Sequence, residues 1–528
     1  MRTKPKYKIL LISVAVLLVM LAAAGVVAAE ILSRRFEPYV REQAINYLRD
    51  RYKSDVELRA LHVHLPKVSP LRLLLRRGRG GITRVDGDGL VLRQHGRPDL
   101  PPIFAVRDFA FQIDLGKLFD ETRTVPVVVL NGMEVNIPPR AQADRVSAEP
   151  QPRRPSVVIE KMLINDAKIV ILPRDQKKVP LQFDIHLLEL DSAGIGIPMK
   201  YEARLKNPKP PGEIVSKGSF GPWSASEPGA SPLSGEYDFD KADLGVFNGI
   251  AGTLTSSGSF QGTLAAVDVH GEASIRDFRL AIANNPVPLT THFAVRVDGT
   301  NGNTILDPVH ATLGSTHFTT SGVVIKHDGD QRRTISMNVL MPDGSIRDLL
   351  RLVSKEPPFM EGRVMLDTRI DIPPLSGRVR EKLVLDGKFE VLDGKFLQST
   401  IQNQIDNLSR RGQGKPKDTG IDEVVSYMAG NFRLQNEDLT LQSLAFGVPG
   451  AHVQLAGDYN LRNDALDLHG NLRLQSKVSG TVSGWKLWAL KAVDPLFAKR
   501  GAGTFLKIKV VGTSQHPNFG LDRSGGKN

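Results

Sequence analysis

Apolar and polar side chains alternate with a period of two through most of this 528-residue chain. Phe109, Phe111 and Ile113 alternate with small or polar residues, and Leu466 and Leu468 repeat the pattern far along the chain. Because successive side chains of a β-strand point to opposite faces, the pattern predicts strands with one apolar and one polar face. The chain is therefore expected to be mainly β.

A sheet of such strands must bury its apolar face against something. Two arrangements satisfy the alternation. Two sheets could face each other in dry sandwiches, or one sheet could curl into a groove that apolar ligands fill. The residues expected on this face are Phe109, Phe111, Ile113, Met133, Val135, Ile137, Leu466, Leu468, Leu472, Leu474, Leu506, Ile508 and Val510.

An uncharged apolar run precedes the strands, from Ile9 to Ala29. Its length is about what a helix needs to cross the hydrocarbon core of a bilayer, roughly 20 residues. We interpret it as a retained transmembrane helix that leaves residues 1–8 in the cytoplasm and exports the rest of the chain. A cleaved signal peptide is the alternative, because Val27-Ala28-Ala29 would suit a small-residue cleavage site. An amphipathic helix is expected next, over residues 30–54.

The remaining chain divides by composition. A first β region, 55–140, is followed by a polar linker or loop. A second β region follows and holds a crossing rich in proline and glycine, predicted to be irregular. A C-terminal region ends the chain. The boundaries are 141–155 for the linker, 156–361 for the second region, 206–232 for the crossing and 362–528 for the C-terminal region.

Three short segments interrupt the strands with helical spacing. One is predicted over Ile346 to Val353 and another from a cap at Ser399. The third contains Trp485, Trp488 and Phe497, and it would lie at a membrane interface or cap one end of the sheet. Asp393-Gly394 is a tight-turn signal.

Charge and residue types exclude several functions. The formal net charge is +12, and residues 1–100 alone hold 19 basic and 9 acidic side chains, so the basic end is the membrane end. A nucleic-acid-binding protein would spread this charge differently, and nucleic acid is not expected as a partner.

The chain has no cysteine, which excludes thiolate nucleophiles and ligands. His62 and His64 share a strand face without a third ligand. We therefore expect no metal, no cofactor and no enzyme activity.

Several short motifs carry a resemblance to a known family. The motifs are Val448-Pro449-Gly450-Ala451, Asp494-Pro495-Leu496-Phe497, Gly501-Ala502-Gly503-Thr504, Gly512-Thr513 and Pro517-Asn518-Phe519. With them, the chain resembles the AsmA-like proteins of double-membraned bacteria, in its C-terminal region most closely and in its anchor more loosely.

The resemblance implies an elongated, twisted antiparallel sheet curled into an apolar groove and tethered to the inner membrane, with the bulk of the chain in the periplasm. It implies phospholipid acyl chains as ligands, because some members of the family are implicated in phospholipid movement toward the outer membrane. An outer-membrane or periplasmic protein is the expected partner. The alternative function is a β-rich scaffold that regulates outer-membrane protein assembly without transporting lipid.

Overall fold

The computed structural model confirms that the chain is mainly β, with 67% strand and few short helices. The described residues are 54–64, 82–94, 101–114, 122–137, 156–172, 180–194, 198–222, 228–327, 330, 332–420, 422–476, 504–513 and 516–522, with nine helical residues between 38 and 50. The predicted transmembrane helix 9–29, the linker 141–155, and the segment with Trp485, Trp488 and Phe497 lie outside them. No helix within the described ranges is long and apolar enough to span a membrane.

The chain forms two compact units. The first unit comprises residues 1–208 and 214–227, and the second unit comprises residues 209–213 and 228–528. Their boundary falls within the predicted crossing 206–232. That crossing is less irregular than predicted, because residues Pro211–Phe220 form a strand. Ile214, Ser216 and Gly218 alternate with more exposed neighbours there, and this is a strand pattern that the surrounding prolines obscured.

The first unit is a ladder of seven strands in chain order. Every pairing is antiparallel except that of β4 with β5, which is parallel. A parallel pair needs a long connection, and residues 138–155 supply it. The strands are β1 (Ser54–His64), β2 (Ile82–Gln94), β3 (Phe104–Asp114), β4 (Thr122–Ile137), β5 (Ser156–Ile171), β6 (Leu181–Gly194) and β7 (Met199–Pro208), followed by β8 (Pro211–Phe220).

Three residues with a left-handed backbone conformation lie in a line across strands of the first unit. Gly89 of β2, Gly132 of β4 and Asp166 of β5 have positive φ. The register brings these positions to the same level, since their neighbours pair in turn: Leu90 with Val106, Val106 with Met133, and Asn131 with Asn165. Such residues interrupt the pleat and bend the strand. We call this line the crease.

The crease lies within one apolar cluster of the first unit. Apolar residues on both sides of it, three positions apart along each strand, belong to one packed cluster. Ile164 and Ala167 of β5 are almost fully buried there, and the apolar residues packed around them all come from strands of this unit. The described strands of the first unit thus contribute a buried apolar cluster from a single sheet.

The second unit is a longer ladder that is antiparallel throughout. Strands pair in chain order, except that β10 and β13 form a separate two-stranded sheet. The strands are β9 (Pro232–Asp243), β10 (Ile250–Ala251), β11 (Thr253–Thr263), β12 (Ala266–Ile275), β13 (Arg279–Leu280), β14 (Leu289–Val297), β15 (Thr304–Leu313), β16 (Thr316–Ile325), β17 (Thr334–Ser345), β18 (Met360–Ile372), β19 (Val384–Phe396), β20 (Ser426–Gln435), β21 (Asp438–Val448), β22 (Ala451–Asn460), β23 (Ala465–Leu474), β24 (Phe505–Thr513) and β25 (Pro517–Leu521).

Three α-helices lie between strands in the described part of the second unit: α1 (Ile346–Val353), α2 (Val379–Lys382) and α3 (Ser399–Gly412), besides 3-10 helices at Pro228–Ala230 and Leu244–Val246. The structure confirms the predicted helices α1 and α3, although the N-cap of α3 is Gln398 rather than Ser399. The predicted turn at Asp393-Gly394 is wrong. These residues form a bulge inside β19, where Asp393 has a φ of 54° and the register shifts. An Asp-Gly pair occurs in both tight turns and bulges, so local sequence does not distinguish them.

Candidate functional site

The apolar face of the second unit is continuous from strand to strand. Side chains of directly paired residues point to the same face of a sheet. One row of paired residues crosses strands β17 to β23 without a polar interruption, and we call it the open row. The open row is Met337, Ile370, Leu385, Leu434, Leu439, Tyr459 and Leu466. All its members except Leu434 are only half-buried, so this part of the face lacks a second layer among the described residues.

The other end of the same strands is covered by helices. Ile346, Leu349 and Leu350 of α1 pack on a buried cluster that includes Met341 and Val364. Ile405 and Leu408 of α3 pack on a second cluster, formed by Val448, Ala451 and Leu474. The face is therefore closed at one end of the strands and half-exposed at the other.

A buried carboxylate holds α1 in place. One oxygen of Asp348, Oδ2, accepts hydrogen bonds from the backbone N–H of Ser315 at 2.8 Å and from its hydroxyl at 2.7 Å. The hydroxyl of Thr316 donates a third bond, at 3.0 Å. Because Ser315 lies in the turn between β15 and β16 and Thr316 begins β16, the carboxylate ties α1 to the start of β16.

A second buried carboxylate fixes α3. Asp406 accepts hydrogen bonds from the backbone N–H groups of Val424 at 3.0 Å and Glu423 at 3.2 Å. Gln402, also buried, donates to Asp406 at 2.9 Å and accepts from the backbone N–H of Phe396 at 2.9 Å. These bonds lock α3 between the ends of β19 and β20, so both covering helices are held by specific polar contacts.

Aromatic rings lie over glycines on the apolar face of each unit. Phe109 lies against Gly87, its direct partner, and a Cβ at that glycine would come within 2.2 Å of the ring. Phe389 lies against Gly430 in the same way, at 2.9 Å. Two further pairs, Tyr237 with Gly258 and Phe293 with Gly271, repeat the arrangement. A ring that occupies the space of a missing side chain lies along the sheet, which leaves the volume above the face free.

The opposite face of the second unit is charged. Cross-strand ion pairs join Arg296 to Asp268 at 2.8 Å and Lys388 to Asp367 at 3.3 Å. All four side chains are substantially exposed, so each pair contributes little to stability, about 0–1 kcal/mol. These charged side chains keep this face solvated. An apolar ligand would therefore bind on the other, apolar face.

The predicted face residues fall into two sets, one in each unit. Phe109, Met133 and Val135 belong to the cluster at the crease, and Phe111 packs with Leu58 and its neighbours. Ile113 is half-buried on β3, and Ile137 ends β4 with its side chain outside the described part of the chain.

The later set lies on the apolar face of the second unit. Leu468 pairs with Val510 and Leu472 pairs with Leu506, while Leu466 belongs to the open row. The three other members, Leu474, Ile508 and Val510, lie on the same face, and Leu474 contacts the cluster under α3. All seven predicted residues of this set therefore lie on one face of β23 and β24.

The histidine pair has a carboxylate partner that spacing alone did not reveal. His64 Nε2 lies 2.8 Å from Asp86 Oδ2, and His62 lies opposite Asp86 in the register. Both members of the ion pair are partly exposed. In the part of the chain that the structure describes, no three side chains form a metal-binding cluster.

The crease and the ring–glycine pairs were missed at the sequence level. Apolar residues three apart within a strand, such as Ile164 and Ala167, were the available signal for the crease. Glycine inside a strand signals close approach of another group. Identifying that group as Phe389 for Gly430 required the pairing of β19 with β20. No family model, curated protein or solved structure matches the chain.

Proposed function

We propose that this protein is anchored in the bacterial inner membrane and binds lipid acyl chains on the apolar face of its periplasmic sheet. In this role it contributes to phospholipid transport or outer-membrane biogenesis, as in the AsmA-like proteins that it resembles. The open row carries the proposal. It supplies a row of apolar side chains across seven strands, all of them except Leu434 only half-buried.

The dimensions of the open row suit an acyl chain. Seven strands spaced about 4.8 Å apart make a row roughly 29 Å long. One leaflet accounts for half of a hydrocarbon core of about 30 Å, so a lipid tail is about 15 Å long. Each CH₂ group removed from water contributes about 0.8 kcal/mol. A tail lying along half of the row would therefore bind readily.

In the first unit, the buried apolar face favours the alternative function, a scaffold that does not transport lipid. Its face residues Val106, Ile164 and Ala167 are almost fully buried and pack in a cluster of residues from the same sheet. A self-packed sheet of this kind suits a scaffold or an interaction module. Ligand binding is accordingly assigned to the second unit.

A matched pair of variants tests the proposal. Met337→Asp places a carboxylate in the open row, whereas Asn338→Asp places the same group on the next residue, which is exposed on the charged face. The full chain is purified from bacterial membranes, and co-purifying phospholipid is quantified by mass spectrometry. We expect Met337→Asp to lose most of the bound lipid and Asn338→Asp to retain it, with both circular dichroism spectra unchanged. Equal lipid content in two folded variants would contradict the proposal.

A further inference from the structure

The last described strand, β25, has a described partner strand on one side only. β25 pairs with β24 alone among the described residues. The backbone N–H of Asp522 donates to the carbonyl of Lys507 at 3.0 Å, just beyond the strand. In an antiparallel ladder, hydrogen-bonded pairs recur at every second residue. Gly520 and Asn518 therefore bond toward β24, whereas the N–H and C=O groups of Phe519 and Leu521 point away from it.

Two large apolar side chains lie exposed on this edge. Phe519 is 66% exposed and Leu521 is 52% exposed. They lie opposite Val510 and Ile508 of β24, so they extend the apolar face of the second unit. An edge strand that is both apolar and unpaired is a template for another strand.

The first strand of the first unit shows how this chain protects an edge. β1 pairs only with β2 in the described residues, and the helical residues before it cover it. Ile45 packs against Leu58 of β1, and the guanidinium of Arg41 donates to the Leu58 carbonyl. No described element covers β25 in this manner.

We propose that β25 is a docking edge for β25 of a second copy of this chain. The two strands pair antiparallel about a two-fold axis at Phe519. Phe519 then faces its own counterpart, and Pro517 faces Leu521 of the other copy. The N–H groups of Phe519 and Leu521 reach the carbonyls of Phe519 and Pro517 in the other copy. Each chain donates two hydrogen bonds in this register.

The sequence of β25 suits pairing with itself. Pro517–Leu521 contains no charged residue, so the two-fold places no like charges opposite each other. The exposed Phe519 and Leu521 side chains of both copies meet on the same face and cover each other. A two-fold contact is self-complementary and closes after two copies, which stops further edge-to-edge growth.

The absence of cysteine from the chain permits a specific crosslinking test. The proposed register places position 518 of one copy opposite position 520 of the other, in a pair without hydrogen bonds whose Cα atoms lie about 4.5 Å apart. That spacing falls within the range for a disulfide. A Cβ added at Gly520 would meet nothing within 4 Å, so Gly520→Cys is tolerated.

Full-length Asn518→Cys and Gly520→Cys proteins are oxidised briefly in detergent, separately and mixed. We expect a disulfide-linked dimer in the mixture and little in either protein alone, because like positions do not face each other. No dimer in the mixture, or equal dimer in all three samples, would overturn the proposal. A crosslinked species of another mass would mean that a different protein occupies the edge, which also overturns it.

A second measurement covers the case in which oxidation is inefficient. Phe519→Lys places two ammonium groups opposite each other at the two-fold, whereas Asn518→Lys places a lysine opposite Gly520 on the other face. Light scattering in detergent should give twice the chain mass for the wild-type protein and for Asn518→Lys, and one chain mass for Phe519→Lys. A wild-type protein with one chain mass, or a dimeric Phe519→Lys variant, would contradict the docking of two β25 strands.

Discussion

The two units bury an apolar face in different ways. The first unit bends along the crease, so that residues such as Val106 and Ile164 pack against others of their own sheet and are almost fully buried. The second unit covers one end of its face with α1 and α3 and leaves the open row half-exposed. The described strands thus form a buried apolar cluster in the first unit and a half-exposed apolar row in the second.

The largest expected effect is a difference in stability between two variants, each with one isoleucine truncated to alanine, one in each unit. Ile164→Ala leaves a cavity in a closed core and should cost about 2–5 kcal/mol of stability. Ile370→Ala removes the same atoms from the half-exposed open row and should cost less than about 1.5 kcal/mol. Urea unfolding of the full chain, followed by limited proteolysis that reports on each unit, measures both. Equal losses would mean that the open row is as closed as the crease.

The crease itself should depend on a left-handed backbone. Gly132 has a φ of 63°, a conformation that a β-branched residue adopts only under strain. Gly132→Val should therefore destabilise the first unit by about 1–3 kcal/mol. Gly132→Asn is the matched control, because asparagine tolerates this conformation, and it should cost less. The measurement is the urea midpoint for unfolding of the first unit in each of the two variants. Identical midpoints would show that the crease does not require left-handed geometry.

The smallest expected effect concerns pH at the end of the second unit. His469 of β23 lies 2.9 Å from Asp522, just after β25, and 3.0 Å from Asp467. Hydrogen bonds to Asp522 and then Asp467 raise the pKa of His469 above its ordinary value. The ion pair is therefore present in full below about pH 6.5, the ordinary value, and is lost as the pH rises through the raised pKa.

Hydrogen exchange of the 505–522 peptide checks this tether. Protection of β25, corrected for the intrinsic dependence of exchange on pH, should fall modestly between pH 6 and pH 9. The Asp522→Asn variant should show little of this pH dependence, because the neutral amide cannot form the ion pair. A wild-type protein whose corrected protection is the same at both pH values would show that the tether does not hold the strand.

Much of the fold followed from local patterns, because period-two alternation depends only on neighbouring residues. The strands that contain Phe109 and Leu468 and the helix α1 were predicted in this way. The covering role of α1 was not predicted. It depends on a hydrogen bond from Ser315, in the β15–β16 turn, to Asp348, more than 30 residues later in the chain. The open row likewise depends on the pairing of Ile370 with Leu385, which is a matter of register. Alternation specifies which face a residue takes but not which residue lies opposite it.

The central claim is that lipid lies on the open row, and a photoreactive residue tests it most directly. A benzophenone amino acid replaces Leu385, on the apolar face of β19, or Asp386, the exposed next residue on the charged face. After irradiation of living cells, the full chain is purified and lipid adducts are identified by mass. We expect phospholipid adducts from position 385 and almost none from position 386. Adducts at neither position, or equal adducts at both, would contradict a lipid-binding face.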